Sequence, residues 1–73
     1  MIKYVLIVTL LNGNTYQWGY FKTEVEAECH KTQLFDWNRK KGLSILRKRG
    51  FDIPTNWDLY NKKVYVKPLN EQK

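Results

Sequence analysis

The chain has one cysteine, Cys29, and one histidine, His30. A single thiol closes no intramolecular disulfide, and one Cys with one His cannot assemble a structural zinc site. A small domain without such staples, carrying a free thiol, is expected in a reducing, cytoplasmic setting. The two residues are sequence neighbours, so on a helix they point about 100° apart and cannot face each other. No catalytic or cofactor motif occurs, and the chain is expected to be non-enzymatic, with no cofactor and no metal. Long hydrophobic runs are also missing. The apolar stretch 4–11 is far too short to span a bilayer. No small-x-small cleavage site follows it, so it reads as a strand rather than a signal peptide, and no membrane association is expected.

Acid is scarce where base is dense. Residues 1–36 carry Lys3, Lys22 and Lys31 against Glu24, Glu26, Glu28 and Asp36. From residue 37 onward, ten basic residues face only Asp52, Asp58 and Glu71. Six of the thirteen cations lie within residues 39–49, and no acid interrupts them. A field this lopsided, on a chain of net charge +6, points to a polyanionic partner.

What is plentiful is apolar and aromatic surface, at 42% and 15% of the chain. Disordered basic tails lack such aromatics, so a folded domain is expected over 1–69, with 70–73 as a frayed tail. Seventy-three residues make one small domain that buries only ~60% of its unfolded surface.

The patterning predicts an α+β fold. A first strand spans about 2–11, and a second, alternating strand about 15–21 carries Tyr16, Trp18 and Tyr20. Asn12-Gly13-Asn14 turns the chain between them. Two registers remain open. A two-residue turn pairs Leu10 with Thr15 and Ile7 with Trp18, leaving apolar residues on both faces. A three-residue loop pairs Leu10 with Tyr16 and Val8 with Trp18, gathering one strongly apolar face. One slip moves every side chain to the other face. With the first register, one face needs a second partner or is a binding surface.

Thr23-Glu24-Val25-Glu26 is a capping box that opens a helix. The helix runs at least to Lys41 and can continue to Arg49, with Gly50 as its C-terminal glycine and Phe51 as hydrophobic follower. In a continuous helix Ala27, Lys31, Leu34, Phe35, Asn38, Gly42, Ile45 and Leu46 share the inward face. Gly42 is the natural place for a break into two helices. Residues 52–57 read as a loop and 62–67 as a strand, with Val64 and Val66 inward and Lys63, Tyr65 and Lys67 outward. Residues 57–60 are a candidate fourth strand. The expected order is β-β-α-(α)-β: a small antiparallel sheet with one long helix or two helices on one face.

Four groups of residues could carry function. On a helix Trp37, Lys41, Ser44 and Lys48 form one stripe with His30 below it, Lys40 and Arg47 lie on the next, and Arg39 and Arg49 point elsewhere. Such a surface can neutralise phosphates while Trp37 stacks on a base. The competing reading is a solvated helix end favoured by the dipole. Lys62, Lys63, Tyr65 and Lys67 combine cations with an aromatic, or else guard an edge strand. Tyr16, Trp18 and Tyr20 form a stacking platform, a protein interface or plain core. His30 with a nearby cation is the one arrangement that a small basic ribonuclease toxin could use.

Residues 19–28, Gly-Tyr-Phe-Lys-Thr-Glu-Val-Glu-Ala-Glu, resemble the strand-to-helix junction of the arm-type DNA-binding domains of phage-like integrases. The resemblance implies a three-stranded sheet that precedes the helix and reads a groove. The hairpin here is nearly free of Lys and Arg, so no binding residue is carried over.

Binding rather than catalysis is the expected function. The first expectation is a nucleic-acid-binding module using Trp37, Arg39, Lys40, Lys41, Arg47, Lys48, Arg49, Lys62, Lys63, Tyr65 and Lys67. The alternative is a small inhibitory protein of phage or mobile-element type, such as an anti-defence protein, docking on an acidic protein or nucleoprotein surface.

Overall fold

A computed structural model describes residues 2–69, apart from the side chains of residues 41–43. The expected tail, 70–73, lies outside the described residues, as does the side chain of Lys41. The fold is α+β. Strands β1 (Tyr4–Thr9), β2 (Thr15–Phe21) and β3 (Val64–Pro68) form an antiparallel sheet in the order β2-β1-β3. Between β2 and β3 lie α1 (Glu24–Trp37), a π-helical turn (Asn38–Gly42), α2 (Leu43–Lys48) and α3 (Trp57–Lys63). The third strand follows the helices rather than preceding them, unlike the integrase-type arrangement. No helix among the described residues is long and apolar enough to cross a membrane.

β1 is the central strand, and Val5, Leu6, Ile7 and Val8 are all buried. A strand covered on both faces reads as a continuous apolar run instead of an alternating one. Leu6 and Val8 enter the core with Leu34, Phe35, Leu46, Ile53, Tyr60 and Val64. Val5 and Ile7 point to the other side of the sheet, and neither belongs to that cluster.

Neither expected hairpin register holds along the whole strand. The loop spans five residues: Leu10 N–H donates to the Asn14 carbonyl at 2.7 Å, and Gly13 N–H to the Leu10 carbonyl at 2.9 Å. Gly13 has φ +93°, a conformation that costs glycine nothing. Thr9 pairs with Thr15, Val8 with Tyr16 and Ile7 with Gln17, but Leu6 pairs with Gly19 and Val5 with Tyr20. The extra residue is Trp18, so β2 carries a bulge there. The bulge satisfies two conflicting demands. Tyr16 and Trp18 both reach Phe51, at 5.3 and 5.4 Å between ring centres. Tyr20, beyond the bulge, crosses to the opposite face. The three aromatics therefore do not share one side.

α1 begins as its capping sequence predicts. Thr23 Oγ1 accepts from Glu26 N–H at 3.2 Å, and Glu24 and Glu26 occupy the first turn. Thr23→Ala is expected to cost about 1 kcal/mol, read as a lower urea midpoint with an unchanged m-value.

The helix does not break at Gly42; it widens. A π-turn holds one residue more than an α-turn and rotates everything after it by one position. The inward stripe runs through Ala27, Lys31, Leu34, Phe35 and Asn38, then resumes at Leu46. Ile45, expected inside, is 47% exposed for that reason. The end of α2 fits the sequence expectation: Gly50 has φ +92°, Gly50 N–H donates to Arg47 O, and Phe51 N–H to Leu46 O. This is the double bond pattern of a glycine C-cap, with Phe51 and Leu46 in apolar contact with the same core.

Residues 57–60 are not a fourth strand. Asn56 Oδ1 accepts from Asp58 N–H at 2.8 Å and from Leu59 N–H at 3.2 Å. That cap, Asp58 in the first turn and Lys62 and Lys63 in the last match the helix dipole at both ends. Lys62 and Lys63 consequently sit on α3, and β3 starts only at Val64.

Candidate nucleic-acid interface

The π-turn reorganises the basic stretch. Trp37 and Arg49 are twelve positions apart, about 120° on an uninterrupted α-helix; one inserted residue reduces the offset to about 20°. The same shift carries Lys48 about 80° away from Trp37. Arg49, not Lys48, thus joins Trp37. Both line a groove of about 430 Å3 closed by Trp18, His30, Gln33 and Leu46. Its walls are two indoles and an imidazole, its floor is leucine, and its rim carries a guanidinium. Trp37 is 41% exposed, which leaves ring surface for a ligand.

The other cations of the stretch surround that groove differently. Arg39, Lys40, Arg47 and Lys48 are exposed. Arg39 lies over the Phe35 ring, its Cζ 5.2 Å from the centre, and is steadied by the ring quadrupole. Lys31 is buried beneath α3, with Nζ 5.9 Å above the Trp57 ring. Trp57, which the sequence did not mark as a site residue, is exposed beside it. Lys63 forms an ion pair with Asp52 at 2.7 Å, so one of the expected partner-binding cations is already engaged. An exposed pair of this kind adds only about 0–1 kcal/mol.

Tyr65 and Lys67 do point outward, onto the face of the sheet without helices. Two rows cross that face. One runs Tyr20–Val5–Lys67 and the other Gln17–Ile7–Tyr65. Tyr20 and Tyr65 are exposed, and the Tyr20 hydroxyl donates to Gln17 Oε1 at 2.7 Å. Val5 and Ile7 are only 2% and 6% exposed, because the longer side chains of both edge strands flank them. Lys62, on α3, lies apart from this surface.

His30 packs on Phe21, with ring centres 4.6 Å apart, and Cys29 is exposed beside it on α1. Among the described residues, no three of His, Cys, Asp and Glu gather as a metal site. Trp57 is an addition to the residues singled out from sequence, whereas His30 was expected below Trp37 on the basic stripe and Trp18 and Tyr20 in a separate aromatic platform; the structure brings Trp18 and His30 to the Trp37 groove. The seven-residue spacing of His30 and Trp37 on one helix already puts them on a common face, whereas the unknown course of β2 concealed that Trp18 joins them. The chain matches no protein-family model, no curated protein and no solved structure.

Proposed function

We propose that this protein is a non-enzymatic nucleic-acid-binding domain that engages its ligand through the basic, aromatic end of its helical layer. The observation that supports this reading is the groove in which Trp37, Trp18 and His30 meet Arg49, at the end of an acid-free run of cations. Aromatic walls stack on bases of any sequence, and a guanidinium at the rim holds a phosphate. The surrounding Arg39, Lys40, Arg47 and Lys48 supply a sequence-independent attraction that releases counterions on binding.

Fluorescence anisotropy with labelled DNA and RNA oligonucleotides tests the reading. With four to five cations at phosphates, log K is expected to fall with log salt at a slope of about −3 to −4. Absence of binding to every oligonucleotide at low salt would overturn it.

A further inference from the structure

All six acids of the described residues lie away from the strands: Glu24, Glu26, Glu28 and Asp36 on α1, Asp52 in a loop and Asp58 on α3. The N-terminal half is net negative only because of α1. Among the described residues, no acid lies on the open face of the sheet. It carries Lys67 in the row of Tyr20, and Lys3 continues the outward alternation of Val5 and Ile7, with Lys22 just beyond Tyr20. Two exposed tyrosines, with Lys3, Lys22 and Lys67 as the charges among the described residues of this face, complement an anion that has planar groups.

This face also connects to the groove. A hollow bordered by Tyr20, Phe21, Lys22, Glu26, His30 and Gln33 wraps the β2 edge. It shares His30 and Gln33 with the Trp18–Trp37 groove. Tyr65, Tyr20, Lys22, His30, Trp37 and Arg49 therefore mark one path, from the open face over the β2 edge to the helical side. Among the described residues, Glu26 is the acid that borders it. The molecule is 37 × 24 × 20 Å, so the path turns around a body far smaller than the ~150 bp over which a duplex stays straight. A duplex would have to be bent sharply to follow it, at a substantial elastic cost, whereas a single strand follows it without that cost.

We infer that the ligand is single-stranded nucleic acid, held along this path with bases stacked on Tyr65, Tyr20 and Trp37. The inference rests on the nucleic-acid reading above and names its substrate class. Tyr20 and Tyr65 lie diagonally across the sheet, about 12 Å apart by strand spacing and rise, and so serve different bases.

The test measures the full chain against oligo-dT and oligo-U of increasing length and against a duplex. Single strands of about ten nucleotides are expected to bind at least tenfold more tightly than the duplex. Tyr20→Ala and Tyr65→Ala should each weaken single-strand binding about tenfold, while Tyr65→Phe should keep it, since stacking needs the ring and not the hydroxyl. Equal or tighter duplex binding, or alanine variants within about twofold of the parent, would overturn the inference. In that case a steep salt slope would leave the nucleic-acid reading standing, whereas no binding to any oligonucleotide removes both. A dimer in sedimentation that Tyr20→Ala and Tyr65→Ala convert to monomer would give the face to a second copy of this chain and overturn the inference as well.

Discussion

Replacing Arg47, Lys48 and Arg49 together by Gln is expected to weaken nucleic-acid binding about 10²-fold at 0.1 M salt and to flatten the salt slope by about 2 to 3. The three side chains are exposed at the end of α2, and the change halves the formal charge of +6. Each phosphate contact contributes about −0.7 to the slope on a single strand and about −0.9 on B-DNA, so three contacts carry most of the expected dependence. Gln has nearly the helix propensity of Lys and Arg, and surface substitutions of this kind shift stability by only about ±0.5 kcal/mol. The melting curve should therefore stay in place while affinity falls. Arg49→Lys alone separates two roles. It keeps the charge but loses the planar fork at the groove rim, so it should cost affinity without altering the slope. A triple variant that binds as tightly as the parent would remove the basic helix end from the interface.

Much of the fold was legible because local chemistry and global packing agreed. Thr23 with Glu26, Asn12-Gly13 and Gly50-Phe51 are short-range signals whose outcomes depend little on distant residues. Each marks an element boundary in the structure. The failures share a different cause. The hairpin register was undecidable because turn chemistry favoured one alignment and apolar segregation another. β2 follows neither throughout, since the bulge at Trp18 gives Tyr16 to the core side and Tyr20 to the open side. The α3 segment misread as a strand is only seven residues long, too short for periodicity to speak. Its identity rests on one side chain, Asn56.

The site was legible as composition and not as geometry. Cations at 39–49 were evident, but their directions depended on a single extra residue in a π-turn. That residue exchanges Arg49 for Lys48 beside Trp37. Charge counted by halves of the chain concealed a second fact. The acids of the N-terminal half are helical, and the two strands that precede them carry no charge, with Lys3 and Lys22 just outside their ends. Linear bookkeeping averages over surfaces that the fold turns in opposite directions. The apolar residues on both parities of β1 were the clue that the second face of the sheet also buries them, as Val5 and Ile7 are.

Tyr60→Ala is expected to remove about 3 to 5 kcal/mol of stability, the range for emptying an aromatic site in a core. A domain of this length has only about 4 to 11 kcal/mol to lose. Tyr60 is fully buried. Its ring lies 4.8 Å from Phe35 and stacks on Trp57 at 5.6 Å, and its hydroxyl donates to the Lys31 carbonyl at 3.0 Å. It thereby ties α3 to α1 and fixes the helix that runs directly into β3. Tyr60→Phe keeps the ring and should cost only about 0.5 to 1.5 kcal/mol at pH 7. The two variants part company again in alkali. Burial pushes the Tyr60 phenol well above its ordinary value of 10.0. Above pH 10 the unfolded chain releases this proton and the folded chain keeps it, so the native state binds more protons and stability falls as pH rises. The contribution is intact below pH 10 and drains above it at up to about 1.4 kcal/mol per pH unit. Tyr60→Phe lacks that ionisation, so its deficit relative to the parent should shrink and reverse between pH 10 and 12. Urea titrations of both proteins at pH 7, 10, 11 and 12 read the difference directly. Parallel curves across that range would mean that Tyr60 ionises within the fold, contrary to its burial between α1 and α3.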